Sequence, residues 1–408
     1  MMIDSLFFVG RNKDADIVKQ SSSGGIMSVV ANWIFEKGGI VFGAAFTDNY
    51  SEIHHIRVDS VDDLSKLRKS KYVWSDYVSC FDALEDTLKC GVPVLFIGTP
   101  CQCMSIKNKF GKYKKLFLLD FFCHGTLEPY VFKKYIDGLN DTVKYVDFRH
   151  ERQEDSHNYT FYIAGEKNKV LVEEDYNSNL LTSLFVNSCG LRTGCFHCSL
   201  CTKKHVSNVT MGDVEFDNMA RRHGFEKKHL SIVSINDEVG MKFFNESKQK
   251  MQLSILDQQD EQEIEFYFRE HTYSKNPWEY DWERKKWFDK ALKQYEFSEA
   301  VYRCINYYEI NQLDDCDELI KEKRLYLYGC GHKGTQIKRL IAQFYPDWNL
   351  YGYIVTSKNI CEVNNLPVYE INEVNIDENT FILVSVENKT DIYDLLKKMG
   401  LEEGKNYA

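Results

Sequence analysis

The first part of the chain alternates between apolar residues at helical spacing and short, continuous apolar runs. IMSVVANWIFE (26–36) has an apolar residue every three or four positions, which predicts a helix that stops before Gly38 and Gly39. Strand-length apolar runs follow at 40–46, 92–98 and 116–122. Because predicted helices separate these runs, the pattern indicates a parallel sheet that is covered on both faces.

The middle of the chain has a different pattern. Residues 144–180 alternate between apolar and polar positions, which predicts antiparallel strands added to the first sheet. Residues 280–310 again show helical periodicity. We therefore predict an α/β and α+β protein with three parts: a mixed-sheet core (1–265) that carries a Cys-rich loop, a helical linker (266–320) and a small Rossmann-like domain (321–408).

The C-terminal domain is predicted from its glycine-rich turn. GCGHKG (329–334) matches G-x-G-x-x-G and lies between a predicted strand and a predicted helix, as in half of a doubly wound dinucleotide-binding fold. The ribose-binding acid expected about 20 residues later is missing, and Thr356 and Ser357 stand there. The glycines either bind a nucleotide or only allow close packing of the helix on the strand. We expect no NAD binding.

Composition narrows the class of protein. The 408 residues include 61 acidic and 51 basic side chains, and the net charge of −10 argues against a nucleic-acid partner. No apolar run approaches the roughly 18 residues that span a bilayer, and the N-terminus lacks the charge and apolar length of a signal peptide. We expect a cytoplasmic protein without a transmembrane segment.

Thirteen cysteines are the first indication of chemistry, because in a reducing compartment thiols are more often buried, metal-bound or catalytic than paired in disulfides. Four of them lie in one short stretch: Cys189, Cys195, Cys198 and Cys201. Two adjacent C-x2-C spacings bring sulfurs to one side of a tight turn, which favours an iron–sulfur cluster. A zinc site and unligated thiols are the alternatives.

Further candidates follow the predicted strands. Cys101, Cys123 and His124 come after two parallel strands, where reactive groups gather in open α/β sheets, and we take Cys123 and His124 as candidate catalytic residues. Each is equally a small buried residue at a strand end. SSSGG (21–25) lies at the start of a predicted helix. Its hydroxyls and amides either bind a phosphate or only cap the helix. RKSKYVWSD (68–76) contains cationic, aromatic and hydroxyl groups that suit the ring or diphosphate of a cofactor. The alternative is a solvated basic turn.

Several of these segments occur together in a known order. SSSGGIMS, GGIVFGAAF, LRKSKYVWSD, VPVLFIGTPCQ, LLDFFCHGTLEP, VDFR, LRTGCFHC and VTMGDVEF resemble the motif series of the coenzyme F-420 hydrogenase/dehydrogenase beta-subunit family, from about residue 8 to 250. Members of this family are flavin-binding iron–sulfur proteins. The resemblance implies an FAD site formed by Ser22, Ser23, Gly24, Gly25, Ser70, Lys71, Tyr72, Thr99, Pro100, Cys101 and Gln102. It also places Cys195 and Cys198 in a cluster, which we take as 4Fe-4S.

The chain also departs from the family. Many members begin with a ferredoxin-like domain that this sequence lacks, so we expect an external electron donor: a ferredoxin-like protein, a deazaflavin or a nicotinamide. The position of Cys201 is commonly not a cysteine, and Val214 and Glu215 replace an aromatic residue. The complete ligand set and the number of irons therefore stay open.

The C-terminal module resembles domains of bacterial surface-polysaccharide pathways. This resemblance implies a redox step on a sugar or nucleotide-sugar substrate. The alternative is a non-catalytic scaffold that recruits partners in such a pathway. Assembly into a homo-oligomer is left open by the sequence.

Overall fold

The computed structural model describes residues 6–151, 159–176, 178–200, 205–214, 217–226, 228–270, 281–386 and 388–408, without the side chains of 265–270. The chain forms two compact units, residues 1–305 and 306–408. The predicted linker (266–320) is therefore divided between them. The reason is that its helices pack on two different cores, those before residue 306 on the first unit and the helix after it on the second.

The first unit contains strands and helices in alternation. Its described strands are β1 (Leu6–Asn12), β2 (Ile40–Phe46), β3 (Ile53–Val58), β4 (Val94–Ile97), β5 (Leu116–Phe121), β6 (Val143–Glu151), β7 (Tyr159–Gly165), β8 (Val170–Asp175), β9 (Val209–Asp213), β10 (Ser231–Ile235) and β11 (Met251–Ile255). Its described α-helices are α1 (Ala15–Lys19), α2 (Ile26–Phe35), α3 (Phe81–Lys89), α4 (Pro100–Phe110), α5 (Pro129–Asp137), α6 (Leu180–Val186), α7 (Asp217–Arg222), α8 (Glu238–Ser247), α9 (Gln258–Glu270), α10 (Trp282–Gln294) and α11 (Phe297–Ile305). Short 3-10 helices lie at Asp62–Leu67, Glu166–Asn168, Thr193–His197 and Lys248–Lys250.

The main sheet has eight strands in the order β11-β1-β10-β9-β5-β4-β2-β3. Its centre, β2-β4-β5-β9, is parallel, and the strands outside this centre pair in antiparallel fashion. All four residues of β4 are buried because the sheet is covered on both faces. Leu95 packs with α2 and α8, and Phe96 packs with α3 and α4. The predicted mixed-sheet α/β core is confirmed, and its parallel centre is the part that the apolar runs predicted.

The antiparallel strands of the middle region form a separate sheet, β6-β7-β8. The prediction that they extend the first sheet is wrong, because the main sheet ends at β11 and β3. The apolar face of the small sheet, including Phe148 and Phe161, packs instead against helices α5, α6, α10 and α11. Periodicity identified the strands, but their partners depended on packing.

The second unit is built on a five-stranded sheet in the order β14-β15-β13-β12-β16. Its elements are α12 (Tyr307–Ile320), β12 (Arg324–Tyr328), α13 (His332–Phe344), β13 (Asn349–Val355), β14 (Glu362–Val363), β15 (Leu366–Glu370), a 3-10 helix (Ile371–Glu373), β16 (Thr380–Val384) and α14 (Thr390–Lys398). β12 pairs in parallel with β13 on one side and with β16 on the other. This is the strand order of half a doubly wound fold. None of the described helices in either unit combines the length and the apolar character that a membrane crossing needs.

Candidate functional site

The carboxyl ends of β4, β5 and β9 border a cavity in the first unit. Its volume is about 690 Å³, inside the range of roughly 300–1,000 Å³ that is typical of ligand and cofactor pockets. The wall includes the segments 21–23, 25–27, 67–73, 97–99, 121–126 and 211–214. Ligands of open α/β sheets bind at this end of the strands, so the cavity is the candidate functional site.

Most of the predicted site residues lie on this wall. Those that line the cavity are Ser22, Ser23, Gly25, Ser70, Lys71, Tyr72, Thr99, Gln102, Cys123 and His124. Gly24, Pro100 and Cys101 do not line it. Gly24 lies behind the wall, where its N–H donates to Ser231 Oγ at 2.9 Å. The structure thus brings four distant segments of the sequence to one cavity.

Helix α2 presents an open N-terminus to the cavity. Its N-cap residue Gly25 has φ of +71°, a left-handed conformation that glycine adopts with little cost, and no described side chain caps the helix. Gly25, Ile26 and Met27 all line the cavity. The first amides of a helix have no partner within the helix and favour anions. This helix end can therefore hold a phosphate group.

Helix α4 differs, because its N-terminus is capped by its own residues. Thr99 and Gln102 form a capping box, in which the Thr99 N–H donates to Gln102 Oε1 at 3.0 Å. Gln102 Nε2 in turn donates to Ser75 Oγ at 3.0 Å. Of the two helix starts that the sequence suggested, only that of α2 is left without a side-chain cap among the described residues.

Lys71 organises the loop that carries it. Its Nζ donates to the carbonyl oxygens of Arg68 at 2.8 Å and of Lys69 at 3.2 Å. Burial lowers the pKa of Lys71 to about 7, against the opposing effect of Asp147. Ser22 Oγ then accepts from the Ser70 N–H at 2.7 Å, which ties this loop to the start of α2. Lys71 is thus a positioning residue for the cavity wall.

Arg149 is a cavity residue that the sequence reasoning did not single out. Its Nη1 lies 2.5 Å from Asp213 Oδ2, and its guanidinium lies 5.9 Å from the ring of Tyr72. Burial disfavours the charge, but Tyr72 and Asp213 outweigh burial and raise the pKa of Arg149. The motif VDFR contained this residue, but only the fold shows that β6 carries it to the cavity.

His55, on β3, is a second residue that was missed. Its ring stacks on Phe96 with centroids 4.7 Å apart, and its Nε2 lies 2.9 Å from the carbonyl oxygen of Ile97. Since a carbonyl only accepts, Nε2 carries the proton. Burial lowers the pKa of His55 to about 4. The ring is therefore neutral at physiological pH.

We expect His55 to make the first unit less stable as the pH falls. Its folded pKa lies below the ordinary 6.5, so between pH 6.5 and 4 the unfolded chain binds a proton that the folded chain does not, and the free energy of unfolding decreases as the pH drops. Between pH 7 and pH 5 this effect amounts to roughly 2 kcal/mol, since one pKa unit corresponds to about 1.4 kcal/mol. In urea unfolding at pH 7 and pH 5, His55→Gln should remove this part of the pH dependence. His54→Gln, at the partly exposed neighbour, should retain it. Equal pH dependence in the wild type and His55→Gln would contradict the assignment.

Four cysteines beside the cavity lie near enough for their charges to influence one another, and we call Cys101, Cys123, Cys195 and Cys198 the cysteine group. Burial, followed by negative charge on Cys195, Cys101 and Cys198, raises the pKa of Cys123. Burial is also the largest effect that raises the pKa of Cys195, with contributions from Cys101 and Cys198. Cys123 lines the cavity as well, so the cysteine group borders the candidate site.

Cys189 lies in a different environment. It is buried, its thiol donates to the carbonyl oxygen of Asn187 at 3.3 Å, and Cys304 of α11 belongs to the same core. Cys201 lies outside the described residues. In the described part of the chain, no group of three or more His, Cys, Asp or Glu side chains is arranged to hold a metal ion. The ligand set Cys189, Cys195, Cys198 and Cys201 thus stays a prediction.

The glycine-rich turn of the second unit packs tightly. A Cβ at Gly334 would collide with the carbonyl oxygen of Gly329. Lys333 of this turn pairs with Glu309, and the hydroxyl of Thr356 lies 2.8 Å from that of Tyr328. Gly334 thus allows α13 to pack closely after β12, a role that the third glycine of this motif also has in nucleotide-binding folds.

Comparison with known proteins relates part of the chain to one family. Residues 92–261 match the family model that describes the C-terminal part of the beta subunit of coenzyme F420 hydrogenase/dehydrogenase. No curated protein sequence matches the chain. Among solved structures, the chain is similar to one from the xenon-derivatised F420-reducing NiFe hydrogenase complex of Methanosarcina barkeri, with 17% identity and a TM-score of 0.46 over 67% of this chain and 90% of that chain. The matched segment contains the whole cysteine group.

Proposed function

Because this chain belongs, through residues 92–261, to the coenzyme F420 hydrogenase/dehydrogenase beta-subunit family, we propose that it is an oxidoreductase that binds FAD in the cavity and an iron–sulfur cluster at the cysteine group. The observation that carries the proposal is the position of Cys123, which lines the cavity and also lies near Cys101, Cys195 and Cys198. A cluster on these thiols would lie next to a flavin. Electrons could then pass between the two groups over a short distance.

The cavity has features that suit FAD. Its volume of about 690 Å³ is adequate for a large cofactor, and the open end of α2 offers amides to the phosphates. Tyr72 and Phe185, with ring centroids 4.3 Å apart, supply an aromatic wall, and Arg149 adds a positive charge. Bound there, a flavin would supply electron-transfer chemistry that protein side chains lack.

The donor set of the cysteine group suits an iron–sulfur cluster. Four thiolates are the usual ligands of a 4Fe-4S cluster. Four thiols are also a ligand set for zinc, and no group of three or more metal-binding side chains among the described residues is arranged to hold either metal. The support for the cluster is therefore the donor chemistry together with the family match over residues 92–261. We assign Cys123 to this group, and His124 stays the candidate catalytic residue on the cavity wall.

Two further parts of the proposal concern the electron donor and the substrate. An external electron donor, of the ferredoxin-like, deazaflavin or nicotinamide type, would reduce or oxidise the cluster or the flavin. The role in surface-polysaccharide biosynthesis, with a sugar or nucleotide-sugar substrate, rests on the resemblance of the C-terminal module alone.

The second candidate function is a non-catalytic scaffold. The large cavity, with an open helix end and a largely buried arginine, favours the oxidoreductase, because a scaffold has no need of such a site.

Anaerobic purification tests the proposal directly. We expect a coloured protein that contains FAD, iron and acid-labile sulfide. One zinc ion per chain without sulfide would contradict the cluster. A protein that takes up no FAD, even after incubation with the cofactor, would contradict the flavin site and favour the scaffold.

A further inference from the structure

A buried histidine–aspartate pair lies on the cavity wall, outside the residues considered so far. His205 lines the cavity, and its side chain is only 2% exposed. Its Nδ1 lies 3.0 Å from Oδ2 of Asp120, a carboxylate at the end of β5 that is fully buried. The ring also packs edge-on against Phe122, with centroids 5.5 Å apart. The orientation of the imidazole is therefore held from two sides.

The hydrogen bonds around Asp120 determine which nitrogen of His205 carries the proton. Thr210 Oγ1 accepts from Asn236 Nδ2 at 2.9 Å, so its own proton is donated to Asp120 Oδ1 at 2.5 Å. The other carboxylate oxygen, Oδ2, also only accepts. Nδ1 of His205 is therefore the donor, so in a neutral ring Nε2 is an acceptor.

This acceptor has no hydrogen-bond partner in the part of the chain that the structure describes. Nε2 of His205 is buried and makes no hydrogen bond with any described residue. Buried polar atoms are nearly always hydrogen-bonded, so an unpartnered one in a cavity wall needs an explanation. His205 lines the cofactor-sized cavity and its ring is held in place by its neighbours, so a ligand in the cavity is the candidate donor for this nitrogen.

We propose that His205 Nε2 accepts a hydrogen bond from a ring N–H of the heterocycle bound in the cavity, and that Asp120 is the residue that positions it. This inference rests on the proposed function and makes it more specific. Isoalloxazine and deazaflavin rings both carry an imide N–H, which is a donor of the required kind. His205 is thus a ligand-binding residue, and it selects a heterocycle with an N–H edge.

The test measures FAD affinity by fluorescence titration of the flavin-depleted full chain. Asp120→Asn keeps the shape of the side chain, but its amide donates to Nδ1 and moves the proton to Nε2. Two N–H groups would then face each other, and we expect FAD to bind roughly tenfold more weakly. His205→Gln supplies an acceptor oxygen in place of Nε2. Its affinity for FAD should therefore lie between that of the wild type and that of Asp120→Asn. His54→Gln, at a histidine that does not line the cavity, should leave the affinity unchanged.

A measurement on the unmodified sequence guards against variants that fail to fold. In the wild-type chain labelled with 15N-histidine, saturation with FAD should shift the Nε2 resonance of His205. FAD binding without this shift, or with unchanged affinity in a folded Asp120→Asn variant, would overturn the inference and leave the proposed function intact. Absence of FAD binding by the wild type would instead overturn the proposed function, and this inference with it.

Discussion

Serine in place of Cys195 should remove most of the iron from the protein. The same loss is expected for serine at Cys198, Cys123 or Cys101, since all four thiols of the cysteine group lie near one another. A hydroxyl is a poor substitute for a thiolate ligand, and we expect the iron content to fall roughly tenfold or more. Iron and acid-labile sulfide, measured after anaerobic purification, check this result.

Cys189 provides the matched control for these variants. Its thiol donates to the carbonyl oxygen of Asn187 and lies in the core that also contains Cys304, so Cys189→Ser should lower the melting temperature and keep the iron. Cys361→Ser, at an exposed position of the second unit, should change neither. Loss of iron in Cys189→Ser and Cys201→Ser, with full iron in Cys101→Ser and Cys123→Ser, would instead support the ligand set predicted from spacing.

A tryptophan at position 44 should keep FAD out of the cavity. Ala44 lies on β2, is half-buried and lines the cavity, so a large side chain there would occupy the space proposed for the cofactor. We expect FAD occupancy, measured from the flavin absorbance per chain, to fall roughly tenfold, because overpacking of a filled site costs about 1–3 kcal/mol and 1.4 kcal/mol is a factor of ten. The melting temperature of the variant shows whether the fold survives.

Ala83→Trp is the control, because Ala83 is exposed on α3 and does not line the cavity. It should retain full FAD. Glycine variants are less suitable, since Gly25 has a left-handed backbone and a Cβ at Gly98 would come within 2.7 Å of the Phe96 ring. Full FAD occupancy in a folded Ala44→Trp variant would show that the flavin site lies elsewhere.

Sequence patterns predicted where the strands and helices lie better than they predicted which strands share a sheet. The runs that became β2, β4 and β5 are apolar throughout because helices cover both faces of the parallel centre, and periodicity reports this burial directly. The strands of 144–180 were also recognisable. Their place in a separate sheet was not, because alternation shows which face is buried and not what buries it.

In the candidate site, too, some features were predictable from the sequence and others depended on the fold. Segments at strand ends, such as SSSGG and the turn before α4, were predictable because strand polarity brings them to one edge of the sheet. The pairs Arg149–Asp213 and His205–Asp120 were not, because each joins residues far apart in the chain. One signal was present: Asp120 is the only charged residue in the apolar run 116–122, and a buried carboxylate needs partners.

The sequence by itself determined the α/β class, the apolar strands of the parallel centre and the alternating antiparallel strands, because these depend on local periodicity. It also determined the glycine-rich turn of the second unit and the family resemblance, because these depend on ordered motifs. Only the tertiary structure decided which cysteines lie near one another, which helix end is left uncapped among the described residues and which nitrogen of His205 lacks a described partner. Cys189 illustrates the difference, since spacing groups it with Cys195, whereas packing turns its thiol toward Cys304. Spacing limits how far apart two side chains can lie, but the direction in which each points is determined by the core it packs against.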